Sequence, residues 1–282
     1  MISSETLAVT YGLGSAMAWG AGDFSGGFAS RKGNMMAVIL LSQLIGGIML
    51  ASIAVTCSEA IPAMEQLCYG ALAGVCGSLG LTIFYKGLVM GRMGIVAPLS
   101  AVLTALVPMG YAAFFQELPS MGQFLGLLLV LVAVWLLSSS TNSNLKMTRL
   151  ELVVSLAAGL GFGLFFIFID QANDHAIFWP LVAARLASVS TLICIILLGK
   201  KRATPLRGQW IFIVMCGLLD ACGNALFSMS SHLGRLDIAA VLGSLYPIAT
   251  VALAWFFLSE RLDRQQWAGV ALAFVALFFI TA

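Results

Sequence analysis

The chain has 282 residues, 61% of them hydrophobic and only 9% charged, with a mean hydropathy of +1.02. A water-soluble domain carries about a quarter charged residues, so a surface covered by water is excluded and lipid must cover most of the molecule. The formal charge of +2 gives no footing for nucleic acid, and the basic residues matter through the side of the membrane they occupy.

Apolar stretches of spanning length recur ten times, at 8–29, 35–56, 66–90, 94–115, 121–139, 150–173, 177–198, 209–232, 238–258 and 264–281. Each is continuously apolar over about 20 residues, the length of a helical span, and only helices satisfy their backbone groups alone in lipid. The predicted fold class is therefore an all-α integral membrane protein of ten transmembrane helices. Met1–Thr10 carries no basic segment ahead of the first apolar run, so no cleaved signal peptide is expected. The six cysteines show no Cys-x-x-Cys spacing, which points to small apolar residues rather than a disulfide framework or a metal site.

The sequence repeats on itself at an offset of 143 residues. Gly91-Arg92 falls on Gly234-Arg235, Glu117 on Glu260, Gln123 on Gln266 and Gly126 on Gly269; more weakly, Trp19-Gly20 falls on Phe162-Gly163 and Gly74 on Gly217. Coincidences of glycine and polar residues at span ends are not supplied by apolar composition. The chain is read as two five-helix halves, 1–139 and 150–282, joined by the Ser/Thr/Asn-rich segment 140–149. Five is an odd number, so the second half enters the membrane from the side opposite to the first. The expected architecture is a 5+5 inverted-topology repeat, as in many secondary transporters.

Twelve of the 14 basic residues fall on the odd-numbered connections and their helix ends: Arg31, Lys32, Lys86, Arg92, Lys146, Arg149, Lys200, Lys201, Arg202, Arg207, Arg261 and Arg264. Of the others, Arg235 is on the opposite face and Arg185 lies within a span. The bias places the odd connections in the cytoplasm and both termini outside.

Charges within the apolar runs are few: Asp23, Arg185 and Asp220 lie deepest, with Lys86 and Asp170 nearer span ends. A charge at that depth costs a few kcal/mol, so it faces a cavity or a partner. Arg185 and Asp220 sit near the middle of adjacent spans; they pair either to lock packing or as part of a substrate path. Asp220, Asn224, Phe227, Ser228 and Ser231 form one helical stripe, as do Ser15, Trp19 and Asp23. Asp23 either snorkels to the basic Arg31-Lys32 connection or faces the interior, and Trp19 is too central to be an interfacial anchor.

Pro98 and Pro108 interrupt the fourth span and Pro247 the ninth, each freeing a carbonyl, and breaks in corresponding segments of two halves point toward a site. The face Ser100, Thr104, Pro108 and Tyr111 would meet Ser244, Pro247 and Thr250. Gly70, Gly74, Gly77 and Gly80 form a ridge for close helix approach. His175 and His232, at helix ends with no acidic cluster, read as solvated loop residues. No hydrolase, phosphate-loop or metalloprotease motif occurs, so no enzymatic chemistry, cofactor or metal is expected.

The segments AWGAGDFSGGFASRKGN at 18–34, GLVMGRMGIVAPLSAVLTALVP at 87–108, QELPSMGQFLG at 116–126 and SERLDRQQWAG at 259–269 resemble the EamA branch of the drug/metabolite transporter superfamily. Gln116 and Ser259 stand where that family usually has glycine before the exit Glu. The resemblance implies secondary transport of a small metabolite, an amino acid or related compound among the family's cargoes, through a cavity opened alternately to each side. It also implies cytoplasmic termini, opposite to the charge bias; both readings put the termini on one side.

The expected protein is a multi-pass carrier of the cell membrane whose partners are a small-molecule substrate, the lipid bilayer and a coupling proton or ion, with a monomer sufficient. Trp19, Asp23, Arg185, Asp220, Asn224 and Tyr246 are the cavity candidates, and Pro98, Pro108 and Pro247 the kink and gating candidates. The cavity is expected among the first, third, fourth, sixth, eighth and ninth spans. The rivals are a membrane-embedded enzyme acting on lipids, which would need clustered carboxylates or histidines at one interface, and a channel or structural subunit.

Overall fold

Lipid leaves each backbone N–H and C=O to find a partner inside its own segment, and the described chain is helical throughout with no strand. The computed structural model describes residues 4–115, 147–173, 176–200, 203–234, 236–259 and 264–281, with scattered positions between 121 and 136. The helices are α1 (Ser4–Lys32), α2 (Met35–Thr56), α3 (Met64–Met90), α4 (Met93–Phe115), α5 (Arg149–Ala172), α6 (Phe178–Leu198), α7 (Trp210–Leu233), α8 (Leu236–Gly243), α9 (Pro247–Leu258) and α10 (Arg264–Thr281). Among the described residues seven stretches are long and apolar enough to cross a membrane, α8 and α9 counting as one from Ala239 to Leu258. The expected span at 121–139 and the roles read for Glu117, His175, Arg235 and Glu260 lie outside the described residues.

Helix bounds repeat with the sequence offset. α4 covers 93–115 while α8 and α9 together cover 236–258; α3 covers 64–90 while a short 3-10 turn and α7 cover 207–233. Each pair is displaced by 143 residues.

Local chemistry sets the ends. The Asn34 side chain accepts from Ala37 N at 3.0 Å to start α2, and Thr148 and Glu151 form a reciprocal capping box at the start of α5. α6 has no cap of its own sequence. The Glu59 carboxylate, from the connection between α2 and α3, accepts instead from the backbone of Ile177 at 2.8 Å, Phe178 at 3.0 Å and Trp179 at 2.9 Å. A carboxylate on those donors satisfies the orphan N–H groups and meets the positive end of the helix dipole.

The two repeats interlock. α1 packs along α7 as α5 packs along α3, and α2 lies on α7 as α6 lies on α3, so the strongest packing is between halves. These crossings are close because glycines stand at them. A Cβ on Gly74 would sit 2.0 Å from the Ala184 carbonyl oxygen, and one on its repeat mate Gly217 would sit 2.6 Å from the Ser42 carbonyl oxygen. Without a hydrophobic drive between helices in lipid, backbone approach of this kind is what holds them together.

Hydrogen bonds define two ends of the bundle. At one, Arg31 donates from Nε to Leu88 O at 2.7 Å and from Nη2 to Gly91 O at 2.9 Å, tying α1 to the end of α3. There Arg92 Nε also meets Glu151 Oε1 at 3.2 Å, and Gln209 Nε2 donates to Ala29 O at 2.9 Å. At the other, Asn173 Nδ2 donates to Ser231 Oγ at 3.3 Å, His232 Nδ1 lies 3.1 Å from Asn173 O, and Ser230 Oγ donates to Ala8 O at 2.7 Å. His232, read from the sequence as a loop residue, is exposed but held at this junction.

Gly74→Ala is expected to lower the melting temperature of the detergent-solubilised protein by several degrees, since overpacking against backbone costs about 1–3 kcal/mol. Gly110→Ala, where no described residue lies within 4 Å of the new Cβ, should melt like the parent. Equal melting of the two variants would contradict the close crossing.

Candidate functional site

Arg185 is placed in the middle of α6 and is 5% exposed. Its Nη1 donates to Asp220 Oδ2 on α7 at 2.7 Å and to Gln43 Oε1 on α2. Gln43 Nε2 completes the triangle by donating to Asp220 Oδ2 at 3.2 Å. A buried guanidinium without a counter-charge costs several kcal/mol, and here one carboxylate and one amide oxygen both converge on Nη1. The other terminal nitrogen, Nη2, is buried with no hydrogen-bond partner.

That triangle lines a half-open cavity at the centre of the bundle, with about 620 Å³ of empty space counting its mouth. Trp19 and Asp23 reach it from α1, Asn224 from α7 and Tyr246 from the junction of α8 and α9. Asp23 lies nine residues before the end of α1 at Lys32, about 14 Å along a helix, and lines the cavity. Its carboxylate accepts no hydrogen bond from the described residues. Of the two placements open from the sequence, the interior one is what the fold adopts.

Trp19 is fixed on two sides. Its Nε1 donates to Asn224 Oδ1 at 3.1 Å, and its ring stacks on Phe166 with centroids 5.5 Å apart; Phe166 stacks in turn on Phe227 at 4.2 Å. Such offset aromatic contacts add about 0.5–1.5 kcal/mol each beyond burial. The ring enters because Gly223 leaves room: a Cβ there would be 2.5 Å from Trp19 Cδ1.

The prolines behave differently. α4 runs unbroken through Pro98 and Pro108, whereas the stretch before Pro247 leaves the α-helix at Ser244–Tyr246. There Leu245 N and Tyr246 N bond three residues back, at 3.1 and 3.2 Å. The break presents Tyr246 to the cavity, its hydroxyl hydrogen-bonded with Ser100 Oγ and donating to Ala97 O at 3.3 Å. The face of α4 that includes Ser100 thus meets the α8–α9 junction, and Thr250 Oγ1 bonds across to Gly20 O at 3.0 Å.

All six cavity candidates line this one space; the prolines are not among its lining residues. The remainder of the wall was not among the cavity candidates: Gln43, Leu81, Phe162, Phe165, Phe166, Ala184 and Ser188, together with Thr104, read as part of the α4 face, and Gly77, read as part of the glycine ridge. The wall therefore includes α2 and α6 besides the six spans expected. Gln43 carried a signal as the lone amide in the 22-residue run of α2. The phenylalanines carried none, since aromatic residues in a membrane helix commonly face lipid.

Three comparisons bear on this architecture. A crystal structure of a protein aligns over 100% of this chain and 99% of its own, with a TM-score of 0.73 at 13% identity, which is a likeness of fold. An uncharacterized protein of Methanocaldococcus jannaschii, MJ1333.1, is 28% identical over 135 residues, covering 47% of this chain and 97% of its own length. A protein the length of one repeat therefore aligns with half of this one. The EamA-like transporter model matches twice, over residues 6–139 and 149–282. The double match and the paired helix bounds together make this chain a two-repeat member of the EamA-like transporter family.

Proposed function

We propose that the protein is a secondary carrier that moves a small zwitterionic metabolite, such as an amino acid or a related compound, through the central cavity by alternating access. One observation carries this reading: the space is lined by Arg185, a guanidinium paired with Asp220, and by Asp23, a carboxylate with no hydrogen bond from the described residues. An anionic group of the ligand pairs with the Arg185 guanidinium, and a cationic group neutralises Asp23, each in a setting where water competes little. The wall holds no cluster of His, Cys, Asp or Glu spaced for a metal among the described residues.

Alternation is supported by the two junctions at the ends of the bundle. The carboxyl end of α1 is latched to that of α3 by Arg31, and the carboxyl end of α5, the repeat mate of α1, to that of α7 by Asn173. One latch releases while the other holds. In this scheme the odd connections, with their basic residues, are cytoplasmic and both termini outside.

In proteoliposomes, saturable counterflow of a labelled amino acid is the expected activity, and flux without saturation would make the protein a channel. Asp220→Asn should destabilise the fold by about 3–5 kcal/mol, because it leaves Arg185 buried without its counter-charge. The double variant Arg185→Leu/Asp220→Leu should recover most of the lost melting temperature yet bind no substrate. Recovery of both stability and transport would remove Arg185 from the site. For topology, the exposed Cys57, kept as the sole cysteine, should react with a membrane-impermeant maleimide on intact cells. Labelling only after the cells are opened would put the termini in the cytoplasm.

A further inference from the structure

The repeat that builds the cavity also divides it. At the offset of 143 residues, Trp19 on α1 corresponds to Phe162 on α5, and Asp23 to Phe166; all four line the cavity. The same holds for the other pair of inner helices: Asp220 on α7 corresponds to Gly77 on α3, and Asn224 to Leu81, and again all four line it. In each of the four pairs the member on α1 or α7 carries a polar group and the member on α3 or α5 carries none. Two surfaces equivalent in backbone are thus opposite in chemistry. The Trp19 ring marks their border, with its N–H bonded to Asn224 and its face on Phe166.

We propose that the apolar half, on α3 and α5, is the specificity pocket of the carrier, and that Gly77 and Leu81 set which apolar group of the substrate it accepts. The inference rests on the cavity being the carrier's substrate site. The ligand class that fits is a molecule with both charges at one end and an uncharged, apolar body at the other. Its head lies between Arg185 and Asp23, and its body lies against Leu81 and Phe162, beside Gly77. A carboxylate at position 77, as its mate Asp220 has, or an amide at 81, as Asn224 has, would strand a polar group against the body. The size limit is equally local. A Cβ on Gly77 would stand 3.0 Å from Phe165 Cδ2, so a single methyl must displace a ring that itself lines the cavity.

The charged end of the substrate is common to every α-amino acid, so a series that changes only the side chain isolates the apolar half. Glycine, alanine, leucine, phenylalanine, lysine and glutamate are to be compared as competitors of counterflow in the purified, reconstituted protein. Leucine or phenylalanine is expected to bind at least about tenfold more tightly than glycine, the scale on which a few methylenes in a pocket discriminate. Lysine and glutamate are expected to be the poorest. Leu81→Asn should reduce the ratio of leucine to glycine affinity about tenfold. Gly77→Ala should disfavour phenylalanine relative to alanine. Each ratio is read within one folded preparation, so a loss of yield in a variant does not mimic the effect, and Leu81→Ala serves where Leu81→Asn does not assemble. Competition that is independent of side-chain size, or strongest for lysine or glutamate, overturns the specificity pocket and leaves the carrier intact. Ratios unchanged in both Leu81 variants overturn it equally. A series in which no member competes or is transported takes down the zwitterion site, and the pocket with it.

Discussion

A guanidinium at the centre of a lipid-embedded bundle must be neutralised where it stands, and the arrangement around Arg185 follows from that requirement. The guanidinium is almost wholly buried, so a carboxylate has to come from a neighbouring helix, and Asp220 does so at 2.7 Å. Gln43, from a third helix, meets both partners. α2, α6 and α7 are thereby held at one depth and one rotation. The neutralisation is partial in its geometry, because both acceptors lie on Nη1 while Nη2 is left bare. A fully satisfied ion pair would be a rivet; this one leaves a buried donor without an acceptor.

The interlocked repeats explain why that space exists. If each half packed mainly on itself, a cavity between them would be a cleft between two domains. Instead α1 lies on α7 and α3 on α5, so the inner helices of both halves surround a common centre. The crossings that permit this need glycine at Gly74 and Gly217, where even a methyl would strike a carbonyl oxygen of the partner helix. Close backbone contact at the periphery and an unfilled centre are two sides of one arrangement: the small residues are spent at the crossings, and large aromatic residues wall the middle.

Much of this was legible because charge is scarce. With 26 ionisable Lys, Arg, Asp and Glu residues in 282, those deep in apolar runs had few partners to choose from, and Arg185 with Asp220 was the natural pair. The offset of 143 read from glycines and polar residues reappears in the bounds of α3, α4, α7, α8 and α9. What was illegible is what depends on rotation and on partners distant in sequence. Nothing in the run around Gln43 says which way its amide turns, and nothing near Phe178 says that its N-terminal cap comes from Glu59. The prolines show the same limit. Sequence tells where a proline frees a carbonyl, but not whether the neighbours close the gap, so α4 continues through two prolines while the helix before Pro247 opens.

The division of the cavity follows from a tension within the repeat itself. Backbone symmetry is useful to a molecule that must present one site to two sides, since the same crossing geometry then serves both states. Side-chain symmetry would be harmful. Two copies of Asp23, Asp220 and Arg185 would place four carboxylates around one small space with two guanidinium groups to balance them, at a cost of several kcal/mol for each unpaired charge. Two apolar copies would leave nothing to orient a ligand. One charged half against one apolar half avoids both outcomes: in the proposed site Arg185 and Asp23 would fix the head of the ligand, and the mate positions Gly77, Leu81, Phe162 and Phe166 would receive the remainder without adding a polar group to be satisfied. The symmetry of the fold and the asymmetry of its lining are therefore complementary in the proposed carrier, where the first would serve alternation and the second recognition.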